Sequence, residues 1–240
     1  MNSTGSISRP LIAERPPELR SFNAGLSHVS KTFNGNYILR DVNLAVSAGD
    51  IILVKGPSGS GKSTALRILA GIERPDTGFV WLSGRRLDML SGRARVEAIQ
   101  RLGLGFQDPL LDNALTVFDN LTGLARAMGR YSDRNAHDVD RAGWIADMLQ
   151  LSDRLHDIAA VLSGGQKLRL ALGRALIGRP DMLILDEPTH MVDATGKSAI
   201  FRMLGQIIAA ERLAAVIASH DDEATQIATR AVSFNEGRLT

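Results

Sequence analysis

Cysteine is absent from the 240-residue chain, which excludes disulfides and thiolate metal sites and permits residence in a reducing compartment. No apolar stretch approaches the roughly 20 residues that cross a bilayer, so any membrane role is expected to take its spans from another chain. Charge of one sign is also lacking. The 28 basic and 26 acidic residues nearly cancel, leaving +2 at pH 7 and no electrostatic case for a nucleic-acid partner. Internal repeats are missing, and low-complexity blocks are confined to the first residues, so nothing points to a repeat array.

What is present suits a soluble globular protein. The chain is 44% hydrophobic and 22% charged, and its length fits one large domain or two small lobes around a shared core. Residues 1–25, rich in Ser, Arg, Pro and Asn and broken by Pro16-Pro17, are expected to form a flexible tail. Leu11-Ile12 is too short for the core of a signal peptide. A partner-binding arm is the alternative use of such a tail.

The chain is organised around Gly56-Pro57-Ser58-Gly59-Ser60-Gly61-Lys62-Ser63-Thr64, a complete G-x-x-x-x-G-K-[ST]. The apolar run 51–54 before it reads as a buried parallel strand, and residues 63–70 after it as a helix closed by Gly71. In that setting the glycines let backbone N–H groups curl around a phosphate chain at the positive end of the helix. Lys62 is then placed for the β- and γ-phosphates of a nucleoside triphosphate, and Ser63 for Mg²⁺. The bland alternative is a glycine-rich turn that binds nothing; a strand before it and a helix after it weigh against that.

Short strands are expected at 26–33, 37–39 and 42–46, with turns at Asn34-Gly35 and 47–50, and again at 79–82 and 102–106. Residues 87–100 are mixed and charged, with a helix in the later part. From 108 to 178 strand-like runs vanish. Thr116 reads as the N-cap of a helix starting at Val117, and Trp144-Ile145, Met148-Leu149 and Leu151 have helical spacing. The core resumes with strands at 182–185 and 214–218, separated by a helix over 195–210 as a right-handed crossover requires.

The strand at 182–185 ends in Asp186-Glu187. Ligands of an open parallel sheet sit beyond the carboxyl ends of its strands, so both acids are expected beside the phosphate loop. Asp186 would hold Mg²⁺ and Glu187 would polarise an attacking water; a solvated strand end with incidental acids is the alternative. Leu162-Ser163-Gly164-Gly165-Gln166 opens a strongly helical run, and its hydroxyl and unobstructed N–H groups make a second anion site. Alone, such a loop reads as a helix cap. Beside the other two motifs, the economical reading is a site that closes over nucleotide held by another copy.

With LSGGQ at 162–166 between these landmarks, the stretch from about Leu26 to Leu239 resembles an ABC-type ATP-binding cassette. The resemblance implies an α/β fold, with a P-loop NTPase core, an antiparallel β subdomain and a helical ABC-specific subdomain at 108–178, so that 26–240 forms one cassette. It implies ATP and Mg²⁺ as the bound groups. Lys62, Glu187, His220 and Gln107 would be catalytic. Phe33, Gly56, Ser58, Gly59, Ser60, Gly61, Lys62, Ser63 and Thr64 would touch nucleotide, and Ser163, Gly164, Gly165 and Gln166 that of a partner. Ser63, Gln107 and Asp186 would serve the metal. Phe33 falls where such cassettes stack an aromatic on adenine; Tyr37 competes for that role, and sheet packing is the plain reading of either. Asp193 fits the loop that crosses the dimer interface. The chain departs from the family in His190-Met191-Val192-Asp193, where Ser-Ala-Leu-Asp is usual, and in Leu168, where glutamine is common. Neither change removes a group the reaction needs.

As such a cassette the chain is expected to be the ATP-hydrolysing subunit of a transporter, peripheral at the cytoplasmic face of the cell membrane. Its partners would be a transmembrane permease subunit, met through residues 109–120, and a second cassette. Leu102-Gly103-Leu104-Gly105-Phe106-Gln107 resembles the lipoprotein-release and macrolide-export type. The alternative is a soluble ABC ATPase acting as accessory subunit of a non-membrane enzyme complex. DNA-repair members insert a coiled coil for which this chain has no room, and translation factors carry two cassettes per chain.

Overall fold

The computed structural model describes residues 23–107, 110–190 and 192–240. The expected tail lies outside the described residues up to position 22. Its last three positions are instead the start of strand β1 (Asn23–Phe33), where Ala24 is fully buried. Gly25 permits this early start: a Cβ there would stand 2.2 Å from the Leu44 carbonyl oxygen and 2.7 Å from the Trp81 ring.

Strands are numbered in chain order. β2 (Asn36–Ser47), β1, β4 (Thr77–Leu82) and β5 (Arg85–Arg86) form an antiparallel sheet in the order β2-β1-β4-β5. Two strands were expected where β2 is continuous. The break in the sequence pattern is a bulge: Asp41 takes φ 52° and His28 opposite takes φ 51°, and the register shifts on both sides of Val29. The His28 N–H donates to Asn43 Oδ1 at 2.9 Å, so the pairing resumes with Val42, Leu44 and Val46 buried on one face.

The second sheet has the order β10-β9-β3-β8-β7-β6. Its members are β3 (Ile51–Lys55), β6 (Leu102–Gly105), β7 (Met182–Asp186), β8 (Ala214–Ala218), β9 (Arg230–Asn235) and β10 (Arg238–Leu239). All pair in parallel except β10, which returns against β9. Every residue of β7 and β8 is buried, because both sheet faces are covered and a parallel strand then has no solvent side. The period-2 pleat divides them between two cores. Ile52, Val54, Ile184 and Val216 pack with Leu66 and Leu69 of helix α1 (Lys62–Leu69) and with the antiparallel sheet. Leu53, Leu183, Leu185 and Ile217 pack with Phe201 and Leu204 of a helix over Ala194–Glu211.

Between β4 and β6 a 3-10 turn at Leu87–Met89 precedes helix α2 (Gly92–Ile99). Between β6 and β7 lie α3 (Val117–Ala127), α4 (Ala136–Met148) and α5 (Gly164–Ile177); the Ala194–Glu211 helix is α6. Thr116 caps α3, accepting from the Asp119 N–H. Leu151 does not extend α4 as its spacing suggested. Gln150 takes φ 55°, and Leu151 is buried past the helix end. Arg141 pins this layer to the core, donating to the Leu176 carbonyl at 2.7 Å and pairing with Glu211 at 2.9 Å. β9 and β10 have no counterpart among the expected strands; only Phe234 of β9 is buried.

Candidate functional site

The loop 56–61 runs from the end of β3 into α1. Gly56 takes φ 143° and Gly61 φ 105°, and a Cβ would meet the Phe234 carbonyl oxygen at 2.5 Å or that of Ile38 at 2.7 Å. Both sign of φ and room therefore demand glycine. Around Gly59 nothing lies within 4 Å, so the loop is open on that side. Ser58 is exposed, Ser63 and Thr64 are half-buried, and the buried Ser60 hydroxyl has no hydrogen-bond partner among the described residues. Lys62 is buried and folds back over the loop, donating to the carbonyls of Gly56 at 2.7 Å and Pro57 at 3.0 Å. A cation held over a ring of backbone N–H groups is a receptor for phosphate oxygens.

α1 lies against β7 and β8, which brings Ser63 to Asp186. Burial pushes the Asp186 carboxyl above its usual range and Glu187 adds to this, against the hydrogen bond of the Ser63 hydroxyl and the cations of Arg67 and Lys62. Its Oδ1 has no hydrogen-bond partner among the described residues, and neither does Oε2 of Glu187. Buried carboxylate oxygens left without donors are costly unless something cationic completes them. No group of three or more His, Asp or Glu side chains suited to a metal occurs among the described residues. A cation here would thus rest on few protein oxygens and take the rest from phosphate and water, which fits Mg²⁺.

Glu187 begins the turn after β7 with φ 49°, its N–H donating to the Ala218 carbonyl at 2.9 Å. The next strand, β8, leads to His220, whose Nδ1 lies 3.0 Å from Glu187 Oε2, out of line for a hydrogen bond. The His220 side chain is 66% exposed against 11% for Glu187. The fold therefore gathers Lys62, Ser63, Asp186, Glu187 and His220 at the carboxyl ends of β3, β7 and β8. Gln107 follows β6 at the same end of the sheet and is exposed.

Phe33 and Tyr37 sit at the tip of the β1–β2 hairpin, 67% and 55% exposed, so neither is packed into the sheet. The Arg40 guanidinium lies 4.9 Å from the Tyr37 ring centroid, and Phe33 has no such cover among the described residues. Ser163 caps α5 in a reciprocal box: its Oγ accepts from the Gln166 N–H, and Gln166 Oε1 accepts from the Ser163 N–H. The first-turn N–H groups of Gly164 and Gly165 have no intrahelical acceptor. No hydrogen bond or ion pair joins 163–166 to the five gathered residues among the described ones. Sequence reasoning passed over Asp221, Thr189 and Lys197, which are joined by side-chain hydrogen bonds behind the Glu187–His220 pair. Only the adjacency of Asp221 to His220 hinted at them.

A family model described as ABC transporter matches residues 39–190. Among curated proteins, the sulfate/thiosulfate import ATP-binding protein CysA of Mesostigma viride is 37% identical over 217 residues, 89% of this chain and 60% of that protein. Its namesake in Escherichia coli (strain K12) is 34% identical over 216 residues, 89% of this chain and 58% of that protein. The chain thus spans about 60% of the length of the curated relatives it matches. These relatives are named for import, where the expectation from residues 102–107 is the lipoprotein-release and macrolide-export type. Among solved structures, the dimeric post-hydrolysis state of the ATP-binding cassette MJ0796 bound to ADP and Pi superposes with TM-score 0.81 and 26% identity, covering 90% of this chain and 96% of that one. The ADP conformation of MJ1267, at 24% identity and TM-score 0.77, shares the fold. This chain has the P-loop NTPase fold of ABC ATPase cassettes and belongs to the ABC transporter family.

Proposed function

We propose that the chain binds and hydrolyses ATP as the cassette of a transporter, driving a separate transmembrane permease subunit from the cytoplasmic face of the membrane through closure on a second cassette. The carrying observation is the pair of buried, donor-less carboxylate oxygens on Asp186 and Glu187 beside the open loop crossed by Lys62. Family membership and relatives named as ATP-binding subunits support the same reading. No described helix is long and apolar enough to cross a membrane.

In this reading Lys62 transfers its hydrogen bonds from the Gly56 and Pro57 carbonyls to the β- and γ-phosphates, while Gly56 to Thr64 wrap the phosphate chain. Ser63 and Asp186 would hold Mg²⁺, with Gln107 contributing from the loop after β6, and the ion when bound would supply charge neutralisation for the phosphate chain. Glu187 accepts the proton of the attacking water, and His220 orients Glu187 and the γ-phosphate. Phe33, uncovered at the hairpin tip, stacks on the base. Ser163, Gly164, Gly165 and Gln166 serve the nucleotide of the partner cassette, with residues 108–178 moving as the unit that carries them.

The test is phosphate release from ATP by the purified full chain with Mg²⁺, followed by capture on the Glu187→Gln variant from solubilised membranes with ATP. Hydrolysis plus a polytopic membrane protein in stoichiometric complex is expected. Hydrolysis with soluble partners alone would transfer the chain to the accessory-ATPase class, and absence of nucleotide binding would overturn the proposal.

A further inference from the structure

Behind the Glu187–His220 pair lies a buried polar cluster to which none of the roles above has been given. Asp221, 7% exposed, accepts from Lys197 Nζ on Oδ1 and from Thr189 Oγ1 on Oδ2, and its N–H donates to Ser219 Oγ at 3.1 Å. Thr189 and Ser219 are fully buried. Burial pushes the Asp221 carboxyl up, but the hydrogen bonds from Lys197 and Thr189 outweigh it and hold the group below the usual range, so it is an anion. Three segments distant in sequence meet on this one carboxylate: the turn after β7 that carries Glu187, the first turns of α6, and the segment after β8 that carries His220.

Asp221 Oδ1 also stands 3.9 Å from Nε2 of His220. Two cationic or potentially cationic groups thus flank one buried carboxylate, and Lys197 is the one bonded to it. Were Lys197 removed, the anion would keep only the Thr189 hydroxyl. A buried carboxylate so depleted turns to the nearest remaining donor, here the imidazole of His220, at the expense of that ring's approach to Glu187 Oε2.

We propose that Lys197 is a positioning residue for hydrolysis. Its ammonium engages Asp221 so that the His220 ring is left to Glu187 and the γ-phosphate, and it ties the loop before α6, capped by Asp193, to that pair. The inference rests on the ATPase reading above. It extends that reading to a residue outside every motif of the sequence, at a point where the nucleotide-contacting loop 56–64 is not involved. Turnover therefore depends on Lys197 and nucleotide affinity does not.

The test measures phosphate release against ATP concentration for the full chain with Mg²⁺, as wild type, Lys197→Met, Lys197→Arg and Lys197→Gln. Lys197→Met is expected to lower kcat about tenfold with KM for ATP within about twofold, the mark of an interaction made in the transition state. Lys197→Arg, which restores a donor cation to Asp221, should recover kcat to within about threefold of wild type. A wild-type kcat for Lys197→Met overturns the proposal, and so does a loss that Lys197→Arg leaves unrelieved. Should Lys197→Met fail to fold, Lys197→Gln decides. It removes the cation from Asp221 but keeps a polar side chain, so a severalfold fall in kcat at constant KM supports the proposal, and an unchanged kcat overturns it. A wild-type chain that hydrolyses no ATP would instead overturn the function proposed above, which keeps the two failures distinct.

Discussion

His220 meets Glu187 because β7 and β8 are neighbours in register: Asp186 pairs with Ala218, and Glu187, one residue past β7, and His220, two residues past β8, come to the same mouth. The Nδ1–Oε2 separation of 3.0 Å is fixed from both sides, by the Glu187 N–H donating to the Ala218 carbonyl and by Asp221 anchoring the chain just after the histidine. The left-handed backbone of Glu187, at φ 49°, costs about 1 kcal/mol in a non-glycine residue. Of the described non-glycine residues with positive φ, Glu187 is the one beside a buried donor-less carboxylate oxygen, which accords with a site held ready for a ligand.

Replacing Glu187 by Gln keeps size and removes the proposed proton acceptor. Turnover should fall by about 100-fold or more, as loss of a general base does, while ATP binding measured by calorimetry stays near the wild-type value. Hydrolysis at the wild-type rate would remove Glu187 from the catalytic role.

Lys62→Ala deletes the cation over the loop but leaves Gly56 and Gly61 in their required conformations. Because the Lys62 hydrogen bonds go to loop carbonyls of its own segment, the melting temperature should change little. ATP affinity should drop at least about tenfold, the worth of one charge-assisted bond. Equilibrium binding of a fluorescent ATP analogue measures it, and near-native affinity would refute the phosphate-loop assignment.

Asp186 supplies a pH signature. Its carboxyl has a raised pKa in the fold, against 3.8 for the free group, chiefly from burial. The folded state therefore binds the proton more tightly than the unfolded state, and the ligand-free protein loses stability from this group as pH rises above 3.8 through the raised value. Asp186→Asn lacks that loss. Without nucleotide it should melt above wild type at pH 7, and the gap should close as pH falls toward 3.8. With Mg²⁺ and ATP the order should reverse, because only wild type gains the metal. Thermal scans at several pH values, with and without Mg-ATP, test both halves.

Gly103 is where β6 lets α5 approach. A Cβ there would lie 2.4 Å from the Ala175 carbonyl oxygen and 2.6 Å from Leu183 Cδ2. Gly103→Val should cost about 1–3 kcal/mol by overpacking, read as a lower urea midpoint. An unchanged midpoint would mean that α5 shifts freely against the sheet.

Ser163→Arg places a bulky cation at the start of α5, away from the protein's own Lys62–Asp186 cluster. Mixed with wild type, it should depress the hydrolysis of mixed dimers although each wild-type loop is intact. Full activity of mixed dimers would exclude a site shared between copies.

The strands at β3, β7 and β8, the helix after the phosphate loop, the Thr116 cap and the acids after β7 were all legible in the sequence. Each is written in residues close along the chain: an apolar run, a cap, a glycine pattern. The sequence by itself therefore determined the family, the glycine loop before α1 and which side chains stand at the ends of the parallel strands. Tertiary structure alone decided the rest. It joined two apparent strands into β2 by setting the His28 bulge opposite Asp41, ended α4 before Leu151, and sealed the sheet with β9, whose apolar residues are mixed with polar ones and whose place comes from pairing with β3, and with β10, which returns against β9. It also brought Lys197 and Thr189 to Asp221, 24 and 32 positions away. A salt bridge of that kind leaves no periodicity and no motif, because its partners are selected by the packing of β7, α6 and β8 and not by their neighbours in the chain.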